Sequence, residues 1–131
     1  MNDSREREWL DAMRRRLEER RVELERLRQQ TLRLLSAEGA SQADEGTVAS
    51  HPADAATDVT MAEIEQSVLR TIEEELHEVD AALERLANGT YGYCSDCGRP
   101  IERARLEVMP WAARCLSDQE RFERELERRR R

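Results

Sequence analysis

Leu10, Met13, Leu17, Leu24, Leu27 and Leu34 recur on alternating three- and four-residue steps, with Arg20 and Thr31 filling the remaining positions. That spacing lays one narrow apolar seam along a single long helix over residues 3–37. Asp3 followed by Glu6 supplies a plausible cap pair at its start. A second stripe follows at Ile64, Val68, Ile72, Leu76, Val79, Leu83 and Leu86, and Asn88-Gly89 reads as its stop signal. Between the stripes, "AEGASQADEGTVASHPADAATDVT" breaks the period and reads as a tip loop near residues 38–60. Thr60 and Glu63 form a capping box that would open the second helix. Each helix alone would leave its stripe in water. Pairing buries both, so residues 1–89 are expected to form an antiparallel coiled-coil hairpin.

The period is lost again after Thr90. Residues 90–131 are expected to form a separate small globular part that ends in a short helix. Ser117 and Glu120 form the capping box for that helix, and Phe122 and Leu126 are its few apolar residues. The fold class is therefore mostly α.

Composition narrows the picture. With 39% charged and 4% aromatic residues, the 131-residue chain is too polar for a large core and fits exposed helices. No run approaches the roughly 18 apolar residues of a membrane span. The start, "MNDSREREWL", has no apolar export core, so a cytoplasmic location is expected. A net charge of -7 gives no general attraction to nucleic acid. All of the basic residues are arginine, which we read as coding bias rather than function.

The chemistry lies in the third segment. Cys94-x2-Cys97-x17-Cys115-x2-Asp118 has the spacing of a two-knuckle zinc site, with aspartate in the fourth place. Gly98 allows the tight turn that a Cys-x-x-Cys bite needs. The segment has few apolar residues, so bound metal would supply much of its stability. Asp118 reads two ways: as a carboxylate ligand, or as a first-turn acid that favours the helix start. Without metal, Cys94 and Cys97 would remain as a possible redox pair, but no βαβ pattern surrounds them. His51 and His77 are far apart in sequence, and no nucleophile–base set or phosphate loop is present, so no enzyme is expected.

Residues 82–115, "ALERLANGTYGYCSDCGRPIERARLEVMPWAARC", resemble the DksA/TraR family of bacterial transcription regulators. The run G-x-Y-G-Y-C-x-x-C-G-x-x-I, followed by R-L-E-x-x-P and a cysteine, carries the likeness. The resemblance implies a protein that binds RNA polymerase rather than promoter DNA. Its coiled coil would enter the secondary channel, and its tip would approach the catalytic centre. The family's tip motif D-x-x-D-x-A is matched here by "HPADAA": Asp54 takes the second acid, Ala56 the alanine, and His51 stands in place of the first Asp. Basic positions that hold the alarmone ppGpp in responsive members correspond to Glu78, Met109 and Gln119, none of them basic. Uptake of ppGpp at that site is therefore not expected. The alternative reading is a coiled-coil interaction adaptor whose finger only staples its base.

Overall fold

The computed structural model describes the backbone of residues 2–44 and 52–130, and side chains of residues 3–37 and 60–130. Among the described residues four helices follow in order: α1 (Asn2–Asp44), α2 (Pro52–Asn88), α3 (Arg103–Val108) and α4 (Leu116–Arg130). The β structure among the described residues is a single antiparallel bridge between Tyr93 and Pro100. No described helix is long and apolar enough to cross a membrane.

Helices α1 and α2 form the expected hairpin. Arg21 Nε meets Asp80 Oδ1 at 2.6 Å, and Arg28 Nε meets Glu73 Oε1 at 3.5 Å. One heptad forward in α1 thus corresponds to one heptad back in α2, which is an antiparallel register. Both pairs are surface pairs, worth at most about 1 kcal/mol each. Burial of the seam contributes more.

The chain forms two compact units, Met1–Arg21 with His77–Arg131, and Val22–Leu76. In the first, Met13, Leu17, Val79, Ala82 and Leu86 are buried between the helices. In the second, Leu24, Thr31, Ile72 and Leu76 form the seam. The Thr31 hydroxyl is accommodated there because it donates to the Leu27 carbonyl at 2.8 Å.

Several boundaries differ from the sequence reading. Helix α1 continues to Asp44 and α2 begins at Pro52, so most of the expected 38–60 loop is helical. Proline suits the first helical position, and the alanines after it favour helix. Thr60 and Glu63 therefore lie inside α2 rather than at its start. The seam also shifts sideways. Leu27, Leu34, Ile64 and Val68 are exposed, while Leu35 and Leu69 are half-buried. A straight helix at 3.6 residues per turn drifts about 20° per heptad, which moves the buried line onto neighbouring positions. Ala82 is likewise buried more completely than Leu83.

The end of α2 follows the sequence closely. Gly89 takes φ 81°, and the Thr90 N–H reaches back to the Arg85 carbonyl at 2.9 Å. This is the glycine-terminated helix stop, in which a left-handed residue satisfies an orphan carbonyl. Helix α4 starts at Leu116, one residue before Ser117, so Ser117 does not cap it.

Candidate metal centre

Residues 90–115 are held by backbone hydrogen bonds and a small core. Cys94 N–H donates to the Arg99 carbonyl at 2.8 Å, and Ile101 N–H to the Gly92 carbonyl at 2.8 Å. These bonds fold the first knuckle back on itself. At its apex Gly98 takes φ 74° and donates to the Cys94 carbonyl at 2.9 Å, closing the Cys-x-x-Cys turn. Ser95 N–H then reaches the Ala113 carbonyl at 2.8 Å and joins the two knuckles. Tyr91, Ile101, Leu106 and Ala112 are buried beneath. Helix α3, which the sequence reading does not predict, contributes Leu106 to this core.

The hairpin base packs on the finger within the same unit. The rings of Trp9 and Tyr91 lie 6.0 Å apart at 45°. Arg103 sits 4.3 Å from the Trp9 ring centroid and pairs with Glu6. Arg85 reaches the Ala112 carbonyl at 3.5 Å.

Cys94, Cys97, Cys115 and Asp118 converge, with one donor atom from each lying within 4.8 Å of the others. Cys94 Sγ is 3.1 Å from Asp118 Oδ2, and Cys97 Sγ is 4.0 Å from Cys115 Sγ. Tetrahedral zinc with bonds of about 2.3 Å to sulfur and 2.1 Å to oxygen needs donor–donor edges of about 3.6–3.8 Å. The observed separations bracket that value, and three thiolates with one carboxylate suit zinc. The four residues thus fit one ion. Among the described residues no cysteine is in a disulfide.

The electrostatics favour ligand-ready forms at two of the four positions. Asp118 is only 4% exposed. Hydrogen bonds from Cys94 and then Cys97 hold its carboxyl well below the usual carboxylate range, against the effect of burial. Burial and the bond to Asp118 push the Cys94 thiol up, but the backbone N–H groups of Cys97, Cys115 and Asp96 together bring it below its ordinary value. At Cys97 the Arg99 N–H lowers the thiol, but Asp118, burial, Cys94 and Cys115 outweigh it and push it up to about 11. A zinc ion would remove that penalty, because the negative donors would then share a cation.

A ring of charge surrounds the donors. Asp118 Oδ1 accepts from Arg121 one turn along α4. Arg114 pairs with Asp96 at 3.0 Å and lies 4.0 Å from the Phe122 ring centroid, tying the first knuckle to α4. Neither arginine belongs to the ligand motif. The i,i+3 spacing of Asp118 and Arg121 is the sequence signal that could have pointed to one of them.

The remaining predicted positions lie elsewhere. His51 falls outside the described residues, as do the side chains of Asp54 and Ala56 in the first turns of α2. His77 and Glu78 are exposed on α2, and Gln119 donates to Glu123 at 3.1 Å.

Fold and site together define a helical hairpin carrying a small zinc finger. The prokaryotic dksA/traR C4-type zinc finger matches residues 89–124. The transcription factor DksA2 from Pseudomonas aeruginosa superposes with a TM-score of 0.69 at 30% identity, covering 90% of this chain and 85% of that one. The chain belongs to the DksA/TraR family. The RNA polymerase-binding transcription factor DksA of Caulobacter vibrioides is 47% identical over 49 residues, 37% of this chain and 34% of that protein. General stress protein 16O of Bacillus subtilis is 39% identical over 80 residues, 61% of this chain and 49% of that protein. The chain thus spans about a third to a half of the length of these curated relatives. It departs from the four-cysteine finger at Asp118.

Proposed function

We propose that this chain is a non-enzymatic transcription regulator that binds RNA polymerase and places its hairpin tip in the secondary channel. The observation that carries this reading is the likeness to DksA2, which extends over both hairpin and finger and covers 90% of the chain. In this reading Asp54, with Ala56 and His51 beside it, faces the polymerase catalytic centre. A carboxylate there acts by pairing with cationic groups and altering open promoter complexes, not by performing catalysis. Zinc is held by Cys94, Cys97, Cys115 and Asp118. It supplies no reaction; it fixes the finger against the hairpin base. Glu78, Met109 and Gln119 offer no cation to an anionic nucleotide, so regulation proceeds without ppGpp at that site.

The test is co-purification with RNA polymerase, followed by transcription with Asp54→Asn. The expected result is retained polymerase binding with loss of the effect on open complexes. A substituted chain that acts like the original at every promoter would remove the tip assignment. Failure to bind polymerase, with capture of a different protein partner, would support the adaptor reading instead.

A further inference from the structure

The carboxylate of Asp118 is divided between two partners. Oδ2 faces the Cys94 sulfur at 3.1 Å, inside the donor cluster, and Oδ1 accepts from the Arg121 guanidinium outside it. Asp118 is buried, while the Arg121 side chain is 61% exposed, so the arginine approaches from the solvent side. This arrangement bears on a difficulty specific to a Cys₃Asp site. A thiolate offers a metal one atom. A carboxylate offers two, and rotation about its last torsion is soft. An aspartate in the fourth place can therefore swing between its two oxygens or turn away. A guanidinium on Oδ1 leaves only Oδ2 for the ion. Outer partners of metal ligands act in this way, and their loss typically weakens metal binding by about 10- to 100-fold.

Charge points the same way. Three thiolates and a carboxylate around Zn²⁺ leave a net charge of about -2. Asp96 and Glu125 add acidic groups nearby, and Arg114 is paired with Asp96. Arg121 supplies the cation that meets the carboxylate itself.

We propose that Arg121 is a positioning residue of the zinc site, which orients Asp118 so that it presents a single oxygen to the ion. The proposal rests on Asp118 being the fourth ligand, and its test separates the two ideas. The full chain is loaded with Zn²⁺ and titrated with a chromophoric chelator, in four forms: wild type, Asp118→Ala, Arg121→Gln and the double substitution. Helicity is followed in each form to verify the fold. We expect Asp118→Ala and Arg121→Gln each to release zinc at least about tenfold more readily. In the Asp118→Ala background, Arg121→Gln should change nothing further. If Asp118→Ala holds zinc like the wild type, the ligand reading fails and the proposal falls with it. If Asp118→Ala loses zinc and Arg121→Gln does not, positioning alone is wrong. An equal loss from Arg121→Gln in both backgrounds also overturns it, because the effect would then not pass through Asp118.

Discussion

The Tyr91 hydroxyl donates to the Pro110 carbonyl at 2.7 Å and joins two points of the finger 19 residues apart. Tyr91 is the first buried residue after the end of α2, and Pro110 lies just beyond α3. The bond therefore closes the loop that contains the first knuckle and α3. The bond is buried, so its loss would leave the Pro110 carbonyl without a partner of equal quality.

Stability at high pH should depend on the Tyr91 phenol. Burial is the main cause that pushes Tyr91 up to about 12, with Arg85 and then Arg16 pulling it back. An unfolded tyrosine titrates near 10. The folded value is the higher one, so the contribution is fully present below about pH 10 and is lost as pH rises through about 12. Denaturation midpoints measured across this window should fall for the wild type. Tyr91→Phe should lose about 1 kcal/mol at neutral pH, the usual net worth of such a bond, and show a shallower alkaline slope. An unchanged slope would mean that Tyr91 is not the titrating group.

The shifted seam separates leucines that look alike in sequence. Leu17 is fully buried and Leu34 is 53% exposed, although both fall on the same three-and-four spacing. Leu17→Ala should cost about 2–5 kcal/mol, including the cavity it leaves. Leu34→Ala should stay within about 0.5 kcal/mol, as surface changes generally do. Equal losses in urea denaturation would place the seam on the strict heptad line instead.

Much of this was legible in the sequence, and the exceptions have physical causes. Two long apolar periods and Asn88-Gly89 specified the hairpin and its end, because those signals are local. Cys94, Cys97, Cys115 and Asp118 were legible as a set, because metal-ligand spacing is set by the bite of a turn. Local rules failed where tertiary geometry decides. Heptad counting could not say that Leu27 and Leu34 drift out of the seam while Thr31 stays in it. Turn-forming composition concealed the early start of α2, since Pro52 opens a helix as well as it breaks one. Arg121 showed only as an i,i+3 neighbour of Asp118, because a charged residue on a polar helix gains meaning only when Asp118 turns inward.

The first knuckle allows a test of backbone geometry alone. Gly98 takes φ 74°, and a Cβ built there would meet nothing within 4 Å. The cost of Gly98→Ala should therefore be conformational, about 1–2 kcal/mol, with no clash added. Gly98→Asn should cost less, because asparagine tolerates left-handed backbone. The order Gly, Asn, Ala in thermal stability of the zinc-loaded chain is the expected outcome. A cost for Asn as large as that for Ala would point to steric crowding instead.

Zinc removal should act unequally on the two compact units. Among the described residues the finger buries few apolar side chains, Tyr91, Cys94, Ile101, Leu106, Pro110 and Ala112, and its four donors lie within 4.8 Å of one another. Without a cation, that cluster brings the ionised Asp118 carboxylate against Cys94 and Cys97 and pushes the Cys97 thiol up to about 11, which is unfavourable. The segment Val22–Leu76 contains none of the donors and keeps its own buried Leu24, Ile72 and Leu76. Chelation should therefore reduce the near-ultraviolet circular dichroism of Trp9, Tyr91 and Trp111, all in the unit that holds the finger. Most of the helical signal at 222 nm should remain, because the seam between α1 and α2 needs no metal. Re-addition of Zn²⁺ should restore the aromatic signal. Parallel loss of both signals would show instead that the finger and the whole hairpin fold as one cooperative system.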